Sequence, residues 1–85
     1  MIDYQGKVVL ISGGARGFGA EFAEGFAGRG ATVVIGDINT ELGEKTAARI
    51  SGGGAVCHFV RLDVRSDEDW AAAVDHCVAT CGGLD

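Results

Sequence analysis

The stretch Ser12-Gly13-Gly14-Ala15-Arg16-Gly17-Phe18-Gly19 packs four glycines into seven positions, between an apolar run and a segment of helical periodicity. The spacing is Gly13-x-x-x-Gly17-x-Gly19 and not G-x-G-x-x-G, so its chemistry has to be read from context. Where a buried strand turns into a helix at the carboxyl edge of a parallel sheet, the first helical amides point outward, carry partial positive charge and attract phosphate. In that setting Gly13 permits a tight turn, Gly17 lets backbone approach a pyrophosphate, and Gly19 lets the helix sit close to the sheet. Asp37 follows Gly19 by 18 residues. An acidic group roughly 20 residues past such a turn is placed to accept hydrogen bonds from a ribose. A Walker A loop is excluded: Gly14 and Gly19 have its outer spacing, but Ala20 and Glu21 stand where Lys and Ser/Thr are required.

The other reactive side chains are less organised. Cys57, Cys77 and Cys81 lack C-x-x-C spacing and read as reduced, buried or half-buried thiols. His76, Cys77 and Cys81 fall on one predicted helix, whereas zinc sites draw ligands from two separated segments. Tyr4 has Lys7 three residues on and precedes the first strand, which leaves it outside any catalytic reading.

The elements that must position these residues alternate. Lys7–Ser12 is a β-branched-rich run, apolar on successive positions, as expected of a strand in a sheet covered on both faces. Phe18, Phe22 and Phe26, with Ala23 and Ala27 beside them, set the apolar face of a helix ending near Gly28 and Gly30. A second buried strand, 31–36, stops at Asp37, and Asn39 is the N-cap of a helix over Thr40 to Ile50. Val56–Leu62 is a third strand whose His58 and Arg61 suit an edge position. Ser66 and Asp69 form an S-x-x-D capping box opening a last helix, with Trp70, Val74, Cys77, Val78 and Cys81 as its apolar face. The order β-α-β-α-β-α, with right-handed crossovers, predicts the N-terminal half of a Rossmann-type doubly wound parallel α/β sheet, strand order 3-2-1. Gly82-Gly83-Leu84-Asp85 stands where a fourth strand should begin beside the first, so the expectation is a fragment: residues 1–85 as the N-terminal part of one dinucleotide-binding domain.

Composition narrows the function. The 85 residues are 47% hydrophobic and 22% charged with no proline, a folded composition, and the net charge of -5 argues against a nucleic-acid binder. The longest apolar stretch, Val8 to Ile11, is far short of the roughly 20 residues that span a bilayer, and no signal peptide precedes it, so the expected address is the cytoplasm.

With these residues in place, Ser12 to Gly19 resembles the T-G-x-x-x-G-x-G motif of the short-chain dehydrogenases/reductases, with Ser for the usual Thr. The likeness runs the length of the chain, through Asp37, Leu62-Asp63-Val64 and the Asp69-Trp70 helix start, and is greatest to NAD-dependent hydroxysteroid dehydrogenases of the 3α,20β type. The resemblance implies a cofactor-binding set of Ser12, Gly13, Arg16, Gly17, Phe18, Gly19, Asp37, Ile38, Asp63 and Val64. Within it, Arg16 and Phe18 would contact the cofactor at the turn, Asp37 would take the adenosine ribose, and Asp63 with Val64 would flank the adenine. It implies NAD in preference to NADP, a small-molecule alcohol or ketone substrate, and a homotetramer or homodimer when intact. The family's catalytic Asn, Ser and Tyr-x-x-x-Lys come from segments after the fourth strand, so no catalytic residue is expected here. Two other classes share parts of this pattern. A methyltransferase-type binder would carry an acidic residue just before the glycines, where Ile11-Ser12 stands. A non-catalytic dinucleotide sensor shares the same fold half and stays open.

Overall fold

A computed structural model of the chain describes residues 4–84; Asp85, at the expected start of a fourth strand, lies outside them. The elements are β1 (Val8–Ser12), α1 (Gly17–Gly28), β2 (Thr32–Asp37), α2 (Thr40–Ser51), β3 (Val56–Arg61) and α3 (Asp67–Cys81). β1 pairs with β2 and β2 with β3, both in parallel. The sheet order is β1-β2-β3, in place of the 3-2-1 expected. The two differ in the edge from which the strands are counted, and the consequence lies in the middle strand. β2 has a neighbour on each side, and its Val33, Val34 and Ile35 are completely buried. At the edge, β1 keeps Val9, Leu10 and Ile11 only half-buried.

Successive strand side chains point to opposite faces, so each strand supplies two cores. On one face Val33, Ile35 and Cys57 meet Ala23 and Ala27 of α1 with Ala47 and Ile50 of α2. On the other, Val8 and Val34, flanked by Leu10 and Val60, meet Cys77 and Cys81 of α3. Helices therefore cover both faces of a Rossmann-like α/β sheet. The three cysteines are free; Cys57 and Cys77 are buried, and burial pushes the Cys57 thiol up to about 11.

The helices do not bury the residues that the sequence pattern favours. Phe18 and Phe22 are 78% and 59% exposed, and only Phe26 turns inward, edge-on to Tyr4 with ring centroids 5.0 Å apart. The buried stripe of α1 is Ala20, Ala23 and Ala27. Similarly, α3 buries Ala73 and Cys77, while Val74 and Val78 stay exposed and Trp70 and Cys81 are half-buried. Small side chains let a helix axis approach the sheet closely, and the larger apolar residues are displaced to the flanks of the contact.

Capping behaves as the sequence suggests at α2, where the Asn39 side chain accepts from the Leu42 N–H at 3.1 Å. At α3 only half of the box forms. Ser66 Oγ accepts from the Asp69 N–H at 3.1 Å, but the Asp69 carboxylate accepts from the Asp63 N–H at 2.9 Å and from Arg61 at 3.1 Å. Asp69 thus fastens the loop after β3 to the start of α3.

Candidate functional site

All three strands end at one edge, and there Gly13, Asp37, Ile38, Leu62, Asp63, Val64 and Arg65 line an open cleft of about 370 Å³. Ligands of open parallel sheets bind outside the carboxyl ends of the strands, which is the position of this cleft.

Its first wall is the β1–α1 turn, which β2 and α2 hold in place. The Gly36 carbonyl accepts from the Gly13 N–H at 2.7 Å and from the Gly14 N–H at 3.3 Å. One oxygen of Asp37 accepts from the Ala15 N–H at 3.2 Å and the other from the Asn39 N–H at 3.0 Å. The buried hydroxyl of Thr46 donates to the Ala15 carbonyl at 2.6 Å. Beyond Ala15 the pattern reverses. The N–H groups of Arg16, Gly17, Phe18 and Gly19 have no partner among the described residues, and Arg16, the N-cap of α1, contributes no side-chain cap. The turn therefore presents a run of bare amides at the positive end of a 12-residue helix.

The glycines fit this geometry, though not each in the role expected of it. Gly13 and Gly17 have φ of +69° and +62°, which a side chain would strain. Gly19 does not seat the helix on the sheet: a Cβ there would strike the Gly13 carbonyl, so it closes the turn on itself. Contact with the sheet falls to Gly14, where a Cβ would lie 2.6 Å from Ile35 Cβ.

The opposite wall is the loop after β3. Arg65 donates from its backbone N–H and its guanidinium to the Asp63 carboxylate at 3.0 to 3.2 Å. These bonds hold the Asp63 carboxyl below the ordinary carboxylate range, the side-chain bond first and the backbone bond second. Trp70 Nε1 donates to the Val64 carbonyl at 2.9 Å and fixes that residue from α3.

Of the residues singled out from sequence, the structure brings Gly13, Asp37, Ile38, Asp63 and Val64 together in the cleft. Ser12, Arg16, Gly17, Phe18 and Gly19 are not part of its lining; Ser12 ends β1 and the other four open α1. Phe18 and Arg16 are exposed. Sequence reasoning assigned Asp37 to a ribose alone, whereas its carboxylate also ties down the turn. With about four lone-pair positions on an ionised carboxylate and one bond to each oxygen, acceptor capacity remains. Leu62, Arg65, Ala15 and Thr46 were missed. For Thr46 a signal was available: Gly43, Thr46, Ala47 and Ile50 share the buried stripe of α2, and a hydroxyl buried there requires a partner.

A Rossmann-like sheet with a glycine turn leading into its first helix and a strand-end acid beside it defines a class of nucleotide-binding folds. Residues 7–85 match the short chain dehydrogenase family, and the chain belongs to it. It is 47% identical over 79 residues to a 2,5-dichloro-2,5-cyclohexadiene-1,4-diol dehydrogenase of Sphingobium indicum, covering 93% of this chain and 32% of that protein. It is 46% identical over 79 residues to a 3-alpha-(or 20-beta)-hydroxysteroid dehydrogenase of Mycobacterium bovis, covering 93% of this chain and 29% of that protein. Among solved structures it resembles a short chain dehydrogenase/reductase from Burkholderia phymatum in complex with NAD, with a TM-score of 0.92 and 31% identity over 99% of this chain and 30% of that one. The chain spans about a third of the length of the curated relatives it matches. Among the described residues no helix is long and apolar enough to cross a membrane.

Proposed function

We propose that residues 1–85 form the NAD(H)-binding part of a dehydrogenase that moves hydride between a nicotinamide cofactor and a secondary alcohol or ketone. The observation that carries this reading is the run of bare amides from Arg16 to Gly19, set beside a cleft that contains Asp37. Four unpartnered N–H groups at a helix N-terminus suit a pyrophosphate, and the free lone pairs of Asp37 suit ribose hydroxyls. Ile38 and Val64, both exposed and apolar, would face the adenine with Asp63, and Gly13 lines the cleft just past Ser12 at the end of β1. When bound, the cofactor supplies the hydride carrier. These residues bind and orient it, and the proton-moving groups lie outside the 85 residues. As the family resemblance implies, the intact protein would be a homodimer or homotetramer, with the cytoplasm as its expected address.

Asp37 decides between NAD and NADP. A 2′-phosphate would set a second anion beside the carboxylate; at about 4 Å and an effective dielectric near 20 the repulsion is roughly 4 kcal/mol, less where water enters. Arg16 is exposed, and its long side chain can reach a phosphate or turn to solvent, whereas Asp37 is held at both oxygens. Calorimetric titration of the intact protein with each dinucleotide tests the proposal. Tighter binding of NAD is expected, and a preference for NADP would overturn the role of Asp37.

A further inference from the structure

We infer that Thr46, on α2 and outside the cleft, is a positioning residue for the bare amides of the β1–α1 turn. The inference rests on the reading of that turn as a cofactor cradle. Thr46 is 6% exposed and is the one polar side chain buried among the described residues; its hydroxyl donates at 2.6 Å to the carbonyl of Ala15, 31 residues away. The Ala15–Arg16 peptide is trans, so its carbonyl and the N–H of Arg16 point in opposite directions. Drawing the Ala15 carbonyl toward α2 therefore turns the Arg16 N–H away from α2. Arg16 is also the residue at which the chain leaves extended geometry, with φ -156° and ψ 173°, and enters α1.

The same Ala15 residue is held through its N–H by Asp37. Its two peptide groups are thus clamped from two elements, one by the end of β2 and the other by the middle of α2. Nothing else among the described residues bonds the Ala15 carbonyl, so without the Thr46 hydroxyl this peptide is free to rotate and the first free amide loses its direction. In this account α2 serves the cofactor site without touching the cofactor. The isosteric change Thr46→Val leaves volume and branching in place and removes only the donor.

The test uses the intact protein, with NAD as the probe in calorimetry and amide-resolved hydrogen exchange on the cofactor-free state. Thr46→Val should weaken NAD binding about tenfold, the order of effect of leaving one buried carbonyl unpaired. It should also speed exchange at Ala15, whose N–H bond to Asp37 loosens once the peptide that follows it is free. Thr46→Ser, which keeps the hydroxyl, should restore both. Ser51→Ala is the control: Ser51 Oγ bridges the N–H and carbonyl of Cys57 at the far end of α2, and its loss should lower Tm without changing NAD affinity. Thr46→Ala removes the donor while favouring the helix, and it carries the same expectation where the Val variant folds poorly. Wild-type NAD affinity and unchanged exchange in the Val and Ala variants would overturn the inference and leave the cofactor reading intact. A wild type that does not bind NAD would overturn both.

Discussion

The two halves of the β1–α1 turn are treated in opposite ways. From Gly13 to Ala15 every backbone N–H is bonded to β2, through the Gly36 carbonyl or the Asp37 carboxylate. From Arg16 to Gly19 none is bonded among the described residues. An unmade backbone hydrogen bond is tolerated where solvent or a ligand can supply the partner, and all of this second half except Gly19 is exposed. The contrast shows that the bare amides are held out by the fastened ones: a turn loose throughout would collapse onto itself, and one bonded throughout would have nothing to offer an anion.

Breaking the fastened half should have the largest effect. Gly19→Val drives a side chain into the Gly13 carbonyl, a backbone atom with no room to retreat, and should both abolish NAD binding and cost about 2–3 kcal/mol of stability. Gly17→Val probes the bare half. No heavy atom lies within 4 Å of its Cβ position, and the φ of +62° alone costs roughly 1–2 kcal/mol. It should therefore lower Tm less than Gly19→Val while still blocking the dinucleotide. An unchanged NAD dissociation constant in Gly17→Val would separate the turn from phosphate binding.

Asp37 joins the two halves and sharpens the comparison. Asp37→Ala removes the acceptor for the Ala15 N–H as well as the charge, so it should weaken NAD binding and shift the ratio of kcat/KM toward NADP, with Arg16 as the new phosphate partner. Asp37→Asn keeps an oxygen acceptor and drops the charge. It should shift the cofactor ratio with a smaller loss of Tm, and equal Tm losses in the two variants would show that the tie to Ala15 is not what Asp37 contributes.

The loop after β3 gives the smallest effect because its ion pair lies at the surface. Asp63 titrates below its ordinary value of 3.8 in the folded chain, so folding favours the ionised form. The stability it adds is complete above the ordinary value and is lost as pH falls through the lowered folded value. The Tm gap between wild type and Asp63→Asn should accordingly be present at neutral pH and close under acid. A gap that widened on acidification would reverse the assignment.

Much of this architecture was legible in the sequence. The alternation of buried runs and helical periodicity placed all six elements to within about two residues, and the glycine spacing with Asp37 located the edge that carries the cleft. The rest depended on distances between elements. Phenylalanine spacing on α1 mimics a buried face, but contact with β2 selects the alanines, because the glycine turn brings the helix too close for rings. The sequence names the glycines without saying which atom each avoids, so the close contact with the sheet was read at Gly19 where the fold places it at Gly14. Arg65 was hidden for the same reason, since nothing local announces a guanidinium that folds back on Asp63, and Thr46 showed only a hydroxyl on a buried stripe without its partner 31 residues away.

The central claim, that the Arg16–Gly19 amides are the anion-binding half of the turn, is tested most directly by amide-resolved hydrogen exchange of the intact protein with and without NAD. The account predicts strong new protection at residues 16–19 and little change at residues 13–15, whose amides are already bonded within the fold. Protection that left residues 16–19 unchanged while the dinucleotide was bound would contradict it.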